Sequence, residues 1–99
     1  KYNLNNKSSF LQLGCDKGFL LYDLKNLLPK AEIKGLETSN YAIKNCIKEI
    51  KKNVKKTDNY VKINSKNNKY DFILALGIVY THNLTDAIRC LKEMQRVVG

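Results

Sequence analysis

The chain has 99 residues, 43% of them apolar, and a formal net charge of +9. That length allows one domain with one core, and no apolar run is long enough to cross a bilayer or to read as a secretory signal. The basic excess is nearly all lysine, with only Arg89 and Arg96 as arginines, and it comes with many asparagines. Readers of phosphate and bases lean on arginine's planar fork, so the charge reads as a solvated surface. A basic RNA-binding protein stays open as an alternative.

Residues 1–9 are polar and Asn-rich and read as a linker or frayed edge, with the domain over 10–99. Phe10 to Leu13 is a short apolar run stopped by Gly14, which suits a buried parallel strand. From Phe19 to Leu28, Leu20, Leu21, Leu24, Leu27 and Leu28 recur at helical spacing, and Pro29 ends that helix. Ala31 to Leu36 reads as a second strand. Ser39 is a good N-cap for a long helix whose apolar stripe is Tyr41 or Ala42, Ile43, Cys46, Ile47, Ile50 and Val54, with the lysines from Lys48 to Lys56 on its wet face.

Tyr60 to Ile63 is expected as a third strand after the Asp58-Asn59 turn, 64–69 as polar loop, and Asp71 to Leu76 as a strand buried on both faces. A last helix runs from about Thr85 to Val98, with a stripe of Leu84, Ala87, Ile88, Leu91, Met94 or Gln95, and Val98. The order β-α-β-α-β-β-α calls for an α/β fold, a parallel sheet with helices on both faces. The link between the third and fourth strands is too short for a helix. Cys15, Cys46 and Cys90 are widely spaced and accompany a single histidine, so no metal site is expected, and reduced thiols in a cytoplasmic protein are the default.

The turn Gly14-Cys15-Asp16-Lys17-Gly18 opens a helix, and the next strand stops on Glu37. In α/β sheets such a pair holds a nucleoside: the turn and helix N-terminus approach it, and the carboxylate accepts from ribose hydroxyls. A nicotinamide fingerprint would need glycine at positions 14, 16 and 19 and keeps one of three; spacing at 14, 16 and 18 keeps two.

Gln12-Leu13-Gly14-Cys15-Asp16-Lys17-Gly18, then Gly35-Leu36-Glu37-Thr38-Ser39-Asn40-Tyr41-Ala42-Ile43, then Tyr70-Asp71-Phe72-Ile73-Leu74-Ala75 with Leu91 to Val98, together resemble the class I S-adenosylmethionine-dependent methyltransferases. The resemblance implies a Rossmann-like sheet of order 3-2-1-4-5-7-6 and S-adenosylmethionine as cofactor, with S-adenosylhomocysteine as product. It implies cofactor contacts from Gln12, Leu13, Gly14, Cys15, Asp16, Gly18, Glu37 and Thr38. Asn64 or Ser65 would stand in at the adenine, where the family's usual aspartate is missing, and Ala75 and Leu76 would line the methionine end.

Gln12 replaces the family's carboxylate at the end of the first strand, and Asp16 replaces its middle glycine. The chain stops where the family continues with a fifth strand, so the sequence reads as a fragment lacking the C-terminal strands; a partner such as a second copy covering the edge strand, or a minimal relic, are the alternatives. Tyr80 and His82 follow the fourth strand and are the catalytic candidates, His82 as a general base or simply a loop histidine. The acceptor is expected to be a small molecule, sugar-like by a weak hint, with no membrane partner. The alternative within the same fold is a binding or scaffold module without turnover.

Overall fold

The computed structural model describes residues 8–75 and 83–99. Its elements are β1 (Ser9–Leu13), α1 (Phe19–Leu27), β2 (Glu32–Glu37), α2 (Asn40–Lys44), a 3₁₀ turn (Lys48–Asn53), β3 (Val54–Lys56), β4 (Phe72–Leu74) and α3 (Leu84–Val97). The four strands form one parallel sheet in the order β3-β2-β1-β4, with Gln12 opposite Gly35 on one side and Leu74 on the other. Among the described residues this is the α/β, Rossmann-like arrangement expected.

Alternation along the strands divides the core between the two faces. Phe10, Cys15, Leu21, Ile33, Cys46, Ile50 and Val54 pack on the face covered by α1 and α2. Leu11, Leu13, Leu36, Tyr60, Ile63, Tyr70, Cys90 and Val97 pack on the face covered by α3. Phe10 and Phe72 stack across neighbouring strands, with ring centroids 5.2 Å apart. The first strand is tied to the fourth at their starting ends: Asp71 Oδ2 accepts from the Ser9 N–H, and the Ser9 hydroxyl oxygen accepts from the Asp71 N–H.

Three expectations need correction. The long helix from Ser39 to Val54 does not form. Ser39 does cap a helix, its hydroxyl oxygen accepting from the Ala42 N–H at 3.1 Å, but α2 stops at Lys44 and the chain continues through the 3₁₀ turn into β3. The cause is a tertiary bond: the Ile47 N–H donates to the carbonyl of Lys17 in the glycine turn, 2.9 Å away, and so leaves the helical ladder. Ala42, Cys46, Ile50 and Val54 remain buried as the stripe required, because the apolar pattern fixes which side faces inward and not the pitch of the backbone.

Residues Tyr60 to Ile63 are not strand, although Tyr60 and Ile63 are core. Their backbone groups bond to side chains instead of a ladder: Asn59 Oδ1 accepts from the Val61 and Lys62 N–H groups, Glu93 Oε2 accepts from the Ile63 N–H, and Arg96 Nη2 donates to the Ile63 carbonyl. Arg96 also donates to the Ser65 carbonyl and to Asn67 Oδ1, and it pairs with Glu93. Two side chains of α3 thus hold the β3–β4 link, residues 57–71, in place of a covering helix.

The third correction concerns the inward faces of the two long helices. Leu27 of α1 is 75% exposed. On α3 the expected stripe is largely the open one, with Leu84, Ile88 and Leu91 exposed, while Cys90 and Val97 are buried and Met94 packs beside them.

Arg96 hydrogen bonds hold the Glu93 carboxyl below its ordinary value, with the Ile63 N–H assisting and burial opposing. A carboxyl lowered on folding contributes stability that is present above its unfolded value near 4.5 and is lost as pH falls through the folded one. Glu93→Gln is therefore expected to be less stable than the parent at neutral pH, with the gap closing below about pH 4.5. Urea midpoints across that pH range check this; a gap that does not change with pH contradicts it.

Candidate functional site

The carboxyl-terminal rim of the sheet is built around Glu37, the last residue of β2, which is 8% exposed. Its carboxylate collects backbone donors from two segments. Oε1 accepts from the Asp16 N–H at 2.7 Å, and Oε2 accepts from the N–H groups of Thr38 at 3.1 Å and Ser39 at 3.0 Å. Glu37 therefore points at the glycine turn, as a shared nucleoside site requires. A carboxylate offers about four acceptor positions, so this geometry leaves one, on Oε1.

The turn shows why its glycines sit where they do. Gly14 (φ 72°), Asp16 (φ 53°) and Gly18 (φ 86°) all have left-handed backbone, the three alternate positions at which glycine is least strained. Aspartate at 16 is tolerated because its short polar side chain suits that conformation better than most, and its carboxylate is exposed. Gly18 is also needed for space, since a Cβ there would lie 2.6 Å from Ile50 Cγ2. Opposite the turn, a Cβ on Gly35 would meet Cys15 Sγ at 2.6 Å and Leu21 Cδ1 at 2.7 Å. Helix α1 and the turn therefore rest directly on the β2 backbone.

Most of the turn's amides are already committed within the protein. The N–H groups of Gly14 and Cys15 both donate to the Leu36 carbonyl, that of Asp16 to Glu37, and that of Gly18 to the Cys15 carbonyl. These bonds fix the turn's shape and leave those amides already paired. The side chains of Leu13 and Cys15 point into the core, one on each face, so only their backbone reaches the rim. Burial, with the Glu37 charge nearby, pushes the Cys15 thiol up to about 12, which removes it as a nucleophile near neutral pH.

Gln12 is 6% exposed, and its Oε1 is a buried acceptor without a hydrogen-bond partner. It lies on β1 between Gly35 and Leu74, two residues before the turn. A buried acceptor left open is costly unless a donor arrives, and a cationic group is the donor that would suit it best. With the spare position on Glu37, this is the arrangement's fit to a ligand carrying an ammonium at one end and ribose hydroxyls at the other.

Thr38 lies exposed at the rim, its N–H also donating to the Tyr60 hydroxyl oxygen at 3.2 Å. Ala75 follows β4 and packs against the α3 side of the core. Asn64 and Ser65 lie against the α3-side face of the sheet, between two cavities: one shared with Glu32 and Lys69 at the strands' starting ends, where the Ser65 hydroxyl is 3.4 Å from that of Tyr70, and one shared with Lys56 and Thr57. The residues that do reach the rim from β3 are Thr57, whose N–H donates to the Glu37 carbonyl, and Asp58 after it. Placing the third strand at 60–63 hid them: with β3 at 54–56, the carboxylate that seemed missing beyond that strand stands at Asp58. Tyr60 and the pair Lys17–Tyr41, with the ammonium 5.5 Å from the ring centroid, also flank the rim, and neither carried a motif. Leu76, Tyr80 and His82 lie outside the described residues. Among the described residues no group of His, Cys, Asp and Glu is placed to hold a metal ion.

A family model described as a methyltransferase domain matches residues 4–98. Among solved structures, the chain is similar to an S-adenosylmethionine-dependent methyltransferase from Aquifex aeolicus, with 21% identity and a TM-score of 0.76, covering 97% of this chain and 53% of that one. It is also similar to PKMT2 from Rickettsia typhi, with 20% identity, a TM-score of 0.84 and coverage of 100% and 20%. A second structure of that protein, in complex with AdoHcy, matches at 20% identity with a TM-score of 0.80, covering 98% of this chain and 20% of that one. At these identities the likeness establishes the fold. The chain spans about half or less of the length of the proteins it matches. No curated protein matches it.

The strain at position 16 is open to direct measurement. Asp16→Gly is expected to raise stability by about 0.5–1 kcal/mol, the left-handed relief less glycine's entropy, and Asp16→Val to lower it, as read from urea unfolding. All three thiols are free and buried, and burial raises each of them. A thiol reagent at mild alkaline pH is expected to label none rapidly in the native chain and all of them in urea.

Proposed function

This chain belongs to the class I S-adenosylmethionine-dependent methyltransferase family, and from that premise we propose that the turn at 14–18 and the tip of β2 form the cofactor half of a methyl-transfer site. The observation that carries the proposal is the Glu37 carboxylate reaching across to the Asp16 N–H. It fixes turn and strand tip at one separation and keeps an acceptor open on Oε1 for a ribose hydroxyl. A second hydroxyl would need the Asp16 amide to release Oε1.

Gln12 would accept from the ammonium of the cofactor's methionine end, answering its unpaired Oε1. Thr38 and Asp58 would border the adenine, in the place first assigned to Asn64 or Ser65. Ala75 and Leu76 would line the methionine end. The Rickettsia typhi relative was solved in complex with AdoHcy, which supports that pairing of cofactor and product. S-adenosylmethionine supplies a methyl group already activated on a sulfonium. What remains for the chain is placement: methyl transfer needs the acceptor in line, and orientation alone accounts for much of the rate. Tyr80 and His82 remain the proposed catalytic residues, with His82 as the base for an acceptor that must lose a proton. The proposed acceptor is a small molecule.

Calorimetry of the chain with S-adenosylhomocysteine tests the reading. Saturable heat is expected, and its absence at millimolar ligand would overturn it. Glu37→Gln is expected to weaken binding by about 1–3 kcal/mol, the cost of a charged hydrogen bond, and Gln12→Glu to tighten S-adenosylmethionine and S-adenosylhomocysteine alike, because both carry the ammonium that residue 12 would meet. Tight binding without transfer to any acceptor would instead favour a binding module without turnover.

A further inference from the structure

In a parallel sheet buried on both faces, each crossover normally brings a helix to cover one face. The β3–β4 link brings none. Its residues Tyr60 and Ile63 cover the sheet near α3, and a cavity of about 210 Å³ remains over β2 and β3.

That cavity is lined by Lys34, Lys55, Lys56, Lys62, Asn64 and Ser65, with Leu36 and the rim residue Thr57 beside them, and no carboxylate lines it. Lys34 and Lys55 are on neighbouring strands, where Leu36 is registered with Lys55, and alternation puts both on the face that carries Leu36. Lys34, Lys55 and Lys56 make no ion pair among the described residues, whereas Lys69 in the adjoining cavity is paired with Glu32 at 2.8 Å. Like charges gathered around one concavity repel each other, and an anion placed among them would relieve that repulsion.

We propose that this cavity binds the phosphate group of a small phosphorylated ligand, beside the Glu37 rim, which it meets at Thr57. The volume is below the usual 300–1,000 Å³ or so of a site for a whole drug-sized ligand, and suits a phosphate or diphosphate group. Ammonium donors combined with the Asn64 amide and Ser65 hydroxyl are the chemistry that such a group takes. Single-stranded nucleic acid fits less well, because no aromatic ring lines the cavity to stack a base.

The test is a ¹H–¹⁵N NMR titration of the cofactor-free chain with inorganic pyrophosphate, so that its outcome does not depend on methyl transfer. Saturable shifts are expected at the amides of Lys34, Lys55, Asn64 and Ser65. The double variant Lys34→Gln/Lys55→Gln should bind about tenfold or more weakly while keeping the parent's circular dichroism. Lys25→Gln, on α1, should bind as the parent does. Shifts spread over all the lysine-rich surface, equal weakening by Lys25→Gln, or undiminished binding by the double variant would each overturn the proposal. So would an oligoribonucleotide that binds the double variant as tightly as the parent while pyrophosphate binds neither, because the charge would then act as a diffuse nucleic-acid surface.

Discussion

One carboxylate organises the carboxyl-terminal rim of this sheet. Glu37 is buried, and a carboxyl group in that position needs hydrogen-bond donors around it. Here the backbone supplies three: the Asp16 amide from the turn after β1, and the Thr38 and Ser39 amides that lead into α2. The three contacts set the spacing between two strand tips and begin the next helix. The same atoms are the ones a nucleoside would approach. On the proposed reading, structural and ligand-binding demands on Glu37 would overlap, since a second ribose hydroxyl would have to displace the Asp16 amide.

The turn that meets Glu37 is held from beneath by close packing. Gly35 lets Cys15 and Leu21 come within contact of the β2 backbone, and Gly18 leaves room for Ile50. From above, the Lys17 carbonyl accepts from the Ile47 N–H and so draws the segment after α2 onto the turn. The bond that steadies the turn is also the one that ends the helix. On the other face, Glu93 and Arg96 bind the carbonyls and amides of the 61–67 stretch. In the family resemblance these two residues were only pattern. In the structure they replace a missing crossover helix, and the cover they provide is incomplete, which leaves the lysine-lined cavity open beside it.

Much of the site was legible because it depends on local chemistry. A left-handed turn demands glycine or a short polar residue at alternate positions, and Gly14, Asp16 and Gly18 supply them. A strand ending on Glu37 and followed by a capping Ser39 is likewise a local pattern. What could not be read was where the third strand lay. The stripe through Ala42, Cys46, Ile50 and Val54 fits a helix, yet the same residues are buried when a short helix, a 3₁₀ turn and a strand follow one another. β3 begins at 54 and not at 60, so Asp58 follows a strand where the sequence suggests only a turn, and Asn64 and Ser65 lie further along the β3–β4 link.

By itself, the sequence determined the parallel α/β order, the strained turn, the carboxylate that ends β2 and the family to which all three belong. These follow from short-range rules: backbone sterics, capping, and the alternation of apolar residues. Only the tertiary structure decided which backbone donors Glu37 would collect, that Gln12 would be left with an open acceptor, and which face of α3 would turn inward. Those outcomes depend on hydrogen bonds between residues far apart in the chain, such as Ile47 to Lys17 and Arg96 to Ile63. No local pattern encodes such a bond, because its partner is chosen only when the sheet has brought the two segments together.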